Sequence, residues 1–290
     1  SSLLNYASVC GKKGDMKTAD KICKLLIAKC NDNLNMQNKI AALRIYTDLH
    51  GADAMSEILK AAAHTDKKFR IAAIDMSASI KSEVVTKKWL AYFPKAIPEA
   101  RPEILRMLGA GEDKSVIPLL KSALRDHDAE VRTAAAEAIA MISGEDAAPV
   151  LADYMKEFQD IRDQDAAITA FKSIAGAKEA SMLPALLKSG SPAAKKSAIE
   201  LMAWRKDPAF FQDVLSYTSS DNEQVRSASF RALSALADPG DQEALIGLLN
   251  DDKNSVFVSD IQSALASAAG KIIDPEKRSS AVLKAMEATE

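Results

Sequence analysis

The stretch Asp128–Met155, DAEVRTAAAEAIAMISGEDAAPVLADYM, decides the fold. Val131, Ala135, Ala138, Ile139 and Ile142 recur at spacings of four, three, one and three, the apolar stripe of a helix with a period near 3.6. This spacing predicts a helix over 129–142. Asp128 offers a carboxylate to an unpaired first-turn amide, and Ser143-Gly144 gives the chain a left-handed exit. A second helix starts near Ala147, with Pro149 in the first turn, where a missing amide costs nothing. Val150, Leu151, Tyr154, Met155 and Phe158 form its apolar face. Two short amphipathic helices cannot enclose a core alone, so they stack on similar neighbours.

Those neighbours recur at a fixed interval. Stepping by 31 residues from Val131 gives Asn38, Phe69 and Ala100 upstream and, after a one-residue insertion, Asp163, Ala194, Val225 and Val256 downstream. Five residues after each of these marks lie Leu43, Ile74, Leu105, Ala136, Ile168, Ile199, Phe230 and Ile261, all apolar. One residue after each mark lie Lys39, Arg70, Arg101, Arg132, Gln164, Lys195, Arg226 and Phe257, six of the eight cationic. Six residues after lie Arg44, Asp75, Arg106, Glu137, Thr169, Glu200, Arg231 and Gln262, none of them apolar. Adjacent positions sorted into apolar, basic and polar classes define an all-α superhelix, an α-solenoid of about eight helix pairs.

The pattern D-x-x-V-R-x-x-A-x-x-A-L followed by a Gly/Asp/Pro turn resembles the HEAT repeat, closest to its short variety named after phycobilisome lyases, within the armadillo-type α-solenoids. DAEVRTAAAEAI from Asp128 and DNEQVRSASFRAL from Asp221 match best, whereas the copies at Ala100, Asp163 and Ala194 rest on the spacing. The resemblance implies a right-handed superhelix whose second helices line its concave side, with the polar row from Arg44 to Gln262 at the groove or its rim. It also implies that the arginine after each mark packs between repeats against acidic caps.

The 290 residues are 48% hydrophobic and 27% charged, too apolar for a disordered chain, and abundant alanine suits close stacking of helices. The whole chain reads as one HEAT-like repeat domain, 1–290, with cap helices over 1–31 and a polar closing helix over 274–290 carrying Lys277, Arg278, Lys284 and Glu287 and ending near Thr289. Leu3, Leu4, Tyr6 and Ala7 read as the tail of a helix already under way, so the expectation is a piece of a longer or processed chain. A helix follows from Gly14-Asp15 to about Cys30, resembling the helix of a tetratricopeptide unit, and Asn33 to His50 holds the first marked helix. Cys10, Cys23 and Cys30, an odd number, argue against a disulfide framework and read as buried hydrophobes. Pro94, Pro98 and Pro102 displace the start of a helix in the third pair. Nearby Trp89, Tyr92 and Phe93 either fill the space this leaves or form a partner hot spot. Asp160, Asp163 and Asp165 lack the glycine turn of a calcium loop and read as a solvated helix start.

Chemistry-bearing motifs are sparse. His50, His64 and His127 form no His-Glu pair, so the pattern of the di-iron HEAT-repeat hydroxylases is not matched, and Asp126-His127-Asp128 reads as a local turn network. The expectation is a chain with no catalytic residue, no cofactor and no metal. With 38 Lys and Arg against 40 Asp and Glu, the net charge of −2 argues against nucleic acid. The alternating row of Arg44, Asp75, Arg106, Glu137, Thr169, Glu200, Arg231 and Gln262 has two readings: its charges pair with one another, or it receives a protein or peptide partner. The expected function is a non-catalytic interaction scaffold. Service beside a sugar-hydrolase-like domain, as is common for bacterial HEAT repeats, or bilin-lyase-like chromophore handling, is the alternative. The sequence assigns no compartment.

Overall fold

The computed structural model describes residues 2–29, 35–157, 161–278, 280 and 283. The fold is an all-α solenoid of helix pairs; among the described residues there is no strand, and no helix is long and apolar enough to cross a membrane. Expectations that fall on Cys30, Asn33, Phe158, Asp160, Lys284 and Glu287, and on a helix end near Thr289, lie outside the described residues. Tertiary contacts divide the chain into two units, Ser1–Gly144 and Glu145–Glu290.

The first unit runs α1 (Ser2–Lys12), α2 (Met16–Lys29), α3 (Met36–His50), α4 (Met55–Ala62), α5 (Lys67–Ala78), α6 (Glu83–Tyr92), α7 (Arg101–Gly109), α8 (Ile117–Ala123) and α9 (Ala129–Ser143). Helices α3, α5, α7 and α9 pack side by side in one layer, with α4 and α6 in a second. Their starts are fixed by short-range hydrogen bonds: Asp66 accepts from the Phe69 amide at 2.9 Å, and Asp128 from the Glu130 amide at 2.9 Å. Gly51 and Gly144, both at φ 53°, carry the chain out of α3 and α9 through backbone conformations costly for any side chain. Between them Leu43, Ile74, Leu105 and Ala136 are buried, as the apolar column predicts. A methyl on Gly109 of α7 would overlap the Cα and Cβ of Ala138 in α9, so these two helices approach more closely than a side chain there permits.

The proline-rich stretch departs from the repeat as expected. The 3-10 turns Phe93–Lys95 and Pro98–Ala100 replace regular helix, and α7 starts only at Arg101. Trp89 and Phe93 fill the space beneath: Trp89 is fully buried and its indole N–H donates to Ser77 Oγ at 2.9 Å. Packing, rather than partner binding, is the role of this tryptophan.

The second unit runs α10 (Ala148–Lys156), α11 (Ile161–Ser173), α12 (Ala177–Ser189), α13 (Pro192–Arg205), α14 (Phe211–Leu215), α15 (Glu223–Leu236), α16 (Gln242–Leu249), α17 (Val258–Gly270) and the short α18 (Pro275–Arg278). Here α11, α13, α15 and α17 form the layer equivalent to α3, α5, α7 and α9. Ser191 and Asn222 cap α13 and α15 by accepting from the Ala194 and Val225 amides at 3.3 and 3.1 Å. Ile199, Phe230 and Ile261 are buried, but Ile168 is only half-buried, because Ala166, Ala167, Ala170 and Phe171 take the inner face of α11.

The last copy keeps the register, with Ile261 buried and Gln262 exposed, but enters its helix differently. Val256, the mark of this copy, is 80% exposed. Asp251 accepts from the Lys253 amide at 3.0 Å and starts a 3-10 segment, Asp252–Phe257, before α17 begins. Three residues per turn instead of 3.6 redirect the side chains just ahead of α17, so the half-buried Phe257 turns inward while Val256 faces water. Its ring stacks on Phe230 at 4.2 Å between centroids.

Candidate functional site

The position after each mark is structural, and its chemistry is more local than acidic caps alone would give. Arg70 Nη1 donates to the His64 carbonyl at 3.1 Å, Arg132 Nη1 to the Asp126 carbonyl at 2.9 Å, and Arg226 Nη1 to the Ser220 carbonyl at 3.0 Å. Each reaches back six residues to a carbonyl of the turn before its own helix. A guanidinium there satisfies acceptors that the turn leaves unpaired and meets the negative end of the preceding helix. Arg70 also holds Glu103 of the next pair, with Nε to Oε2 at 2.8 Å. Arg101 stands 3.8 Å from Asp126, Lys39 lies 3.2 Å from His64 Nε2, and Lys195 sits over the Tyr217 ring. The turn at Asp126-His127-Asp128 is the expected network, with the Asp128 amide donating to Asp126 Oδ1 at 2.9 Å.

The polar row projects from the side-by-side helices next to the buried column. In the first unit Arg44, Asp75 and Arg106 are exposed and Glu137 is partly so. Arg106 and Glu137 come together across α7 and α9, Nε to Oε2 at 2.7 Å, so neighbours in the row are neighbours in space. Partial burial, then the charge of Glu103, pushes the Asp75 carboxyl above the usual range. In the second unit Thr169, Arg231 and Gln262 are exposed, while Glu200 is held by Lys196 within α13 at 2.9 Å.

Reading three columns passed over one exposed aromatic side chain. Near the end of α13, Trp204 is 45% exposed, and Lys172 of α11 places its ammonium 5.7 Å from the centre of the indole. Four residues separate Trp204 from Glu200, one helical turn along the same face, and that spacing is the signal by which it could have been found. Two acids are buried: Glu179, which the sequence did not single out, and Asp163, expected at a solvated helix start but fully withdrawn from water because it lies on the inner side of α11. Asp163 accepts from the Tyr154 hydroxyl at 2.6 Å, and Glu179 from Arg205 Nη1 at 2.6 Å. Burial pushes the Glu179 carboxyl above the usual range against the opposing pull of Arg205.

Cys10 and Cys23 are buried, and burial pushes the Cys23 thiol up to about 11, which leaves it protonated and inert. Among the described residues no three His, Cys, Asp or Glu side chains are grouped so as to hold a metal ion.

The family profile of HEAT repeats matches residues 86–172 and 179–266, more than half of the sequence, and the chain belongs to the HEAT-repeat family. No curated protein matches it in sequence. Among solved structures it is similar to YibA of E. coli, at 17% identity over 91% of this chain and 97% of the other, with a TM-score of 0.44. It is also similar to human deoxyhypusine hydroxylase in complex with glycerol, at 18% identity over 90% and 99% of the two chains, with a TM-score of 0.39. A third is the complex of CpcE and CpcF of phycocyanin lyase from Nostoc, at 16% identity over 80% and 92%, with a TM-score of 0.37.

Proposed function

We propose that the chain is a non-catalytic scaffold that binds a protein or peptide partner along the exposed polar face of its marked helices. One observation carries the reading: successive helices present an exposed side chain one position beyond the buried column, Arg44, Asp75 and Arg106 in the first unit and Arg231 and Gln262 in the second. A solenoid repeats such a face at regular spacing, which suits an extended partner. HEAT repeats generally mediate protein interactions, and membership of that family supports the reading. Nucleic acid is disfavoured because 38 cationic side chains are outnumbered by 40 acidic ones.

The test is affinity capture of the native protein from its own cells, read by mass spectrometry and by an absorbance scan of the purified protein. A partner retained by the wild type and lost on Arg106→Glu or Arg231→Glu is the expected result. A bound chromophore, or a catalytic domain in the same polypeptide with no separate partner, overturns it in favour of chromophore handling or service to an enzyme.

A further inference from the structure

His64, in the turn between α4 and α5, is held in one tautomer. Its Nδ1 accepts from the Asp66 amide at 3.0 Å, so in the neutral ring the proton sits on Nε2. Burial, then the charge of Lys39, holds the imidazole below its ordinary value, which keeps it neutral near pH 7. The Nε2–H stands 3.2 Å from the ammonium of Lys39, a buried side chain of α3 that also lies over the Phe69 ring. An ammonium donates and cannot accept, so this contact sets donor against donor. Among the described residues no oxygen accepts from the imidazole N–H. One oxygen beside both atoms would accept from each, in the stronger, charge-assisted kind of hydrogen bond.

Room for the bearer of that oxygen is present. His64 and Lys39 line a cavity of about 380 Å³ among α2, α3, α4 and α5. Its apolar wall, Ile27, Ala61 and Phe69, belongs to the core cluster that includes Leu43 and Ala73, so the cavity is built on packed side chains. We propose that this cavity binds a small organic anion, whose carboxylate or phosphate oxygen accepts from His64 and Lys39 while its apolar body lies against Ile27, Ala61 and Phe69.

Charge and size both select this class. The exposed Lys24 and Lys60 line the cavity with Lys39, and Glu57, 2.9 Å from Lys60, is the one carboxylate among the described lining residues. Behind the imidazole stand Asp66 and Arg70, and Arg70 holds Glu103. With every one of these groups counted at full charge, four cations face three acids, and at the cavity itself three face one. The volume falls in the range of small-ligand sites and exceeds what an inorganic oxyanion fills. No residue of the polar row lines the cavity, so the site stands apart from the partner face.

The test titrates phenyl phosphate, benzoate and the neutral benzyl alcohol into the full chain and follows the imidazole nitrogen resonances, with His64 assigned through His64→Gln. Both anions are expected to shift the His64 resonances saturably and to raise the midpoint of its titration, because a neighbouring negative charge favours the protonated ring. Benzyl alcohol should do neither, and His50 and His127 should stay in place. Lys39→Met should weaken phenyl phosphate about tenfold or more. The double variant Lys24→Gln, Lys60→Gln, two exposed changes that leave the core intact, should weaken it about threefold and flatten its salt dependence. Unchanged melting temperatures tie these losses to the site. A His64 resonance indifferent to both anions, an equal shift with benzyl alcohol, or the same shift in all three histidines overturns the proposal. So does a Lys39 amine that is neutral at pH 7 by its own nitrogen resonance, since it would then accept from the imidazole itself. A response that appears only in Asp32→Asn overturns it as well, because the chain then supplies the oxygen. Inorganic phosphate bound as tightly as phenyl phosphate overturns the organic class. The scaffold reading is untouched by any of these results.

Discussion

In the first unit the charged side chains withdrawn from water are Lys39, Arg70 and Arg132; in the second they are Asp163 and Glu179, among the described residues. Both units use the same side-by-side layer of helices, so the repeat fixes where a polar group is buried and leaves its sign open. The buried arginines of the first unit are satisfied by backbone carbonyls six residues away. The buried acids of the second depend on side chains nine and 26 residues away, Tyr154 and Arg205. The exposed faces differ as well. Arg106 and Glu137 close part of the first row on itself, while in the second Trp204 stays half-exposed beside Lys172. The lesson is that a repeat can hold its apolar column constant and still vary the sign of its buried charges and the pairing of its exposed ones.

The largest effect that sharpens this comparison is on the shared column. Phe230→Asp or Ile199→Asp places an unpaired carboxylate in a dry site, and a loss of about 4 kcal/mol or more is expected. Ile168→Asp, at the half-buried position of the same column, should cost clearly less. Thermal melts with hydrogen exchange over α13, α15 and α17 check both, and equal losses at Ile168 and Phe230 would contradict the register.

Next in size is the buried cation. Arg132→Ala leaves the Asp126 and His127 carbonyls without their guanidinium, an expected loss of about 2–3 kcal/mol by urea denaturation. A neutral outcome would mean that water replaces the side chain and that the local satisfaction described for the first unit is not needed.

Smaller still is the closed pair of the row. A double-mutant cycle on Arg106→Ala and Glu137→Ala should return a coupling of about 0.2–1 kcal/mol that fades with added salt, since both side chains are more than a third exposed. Salt-independent coupling of several times that size would show that the first row is built for stability.

The smallest expected effects are the pH responses, which should run in opposite directions. Burial, then the charge of Lys39, holds the His64 imidazole below its ordinary value, and Nδ1 accepts from the Asp66 amide at 3.0 Å. Below about pH 6.5 the unfolded chain takes up this proton first, so the stability that the neutral ring contributes is lost as pH falls through the folded value. Glu179 has a raised folded value, so its contribution is present at acid pH and lost as pH rises from the ordinary carboxylate range through that value. His64→Gln should flatten the first slope and Glu179→Gln the second, as read by melting temperature against pH. Slopes of the same sign would remove the contrast between the units.

The sequence by itself determined the helix pairs, their spacing and the buried column, because each depends on residues within one or two helical turns. Asp128 and Asp66 cap the helices they precede, Leu43, Ile74, Leu105, Ile199 and Phe230 lie inside, and Arg44, Asp75, Arg106 and Arg231 lie outside. Only the tertiary structure decided which members of the row meet. Arg106 reaches Glu137 while Glu200 turns to Lys196 in its own helix, a choice made by side-chain geometry that alternating signs do not encode. It also decided how the chain enters α17, through a 3-10 segment that leaves Val256 in water and that no 31-residue period reports. The pairing of Asp163 with Tyr154, the burial of Glu179 against Arg205 and the exposure of Trp204 beside Lys172 are further cases. Each joins residues on different helices, and periodicity along one helix carries no information about such contacts.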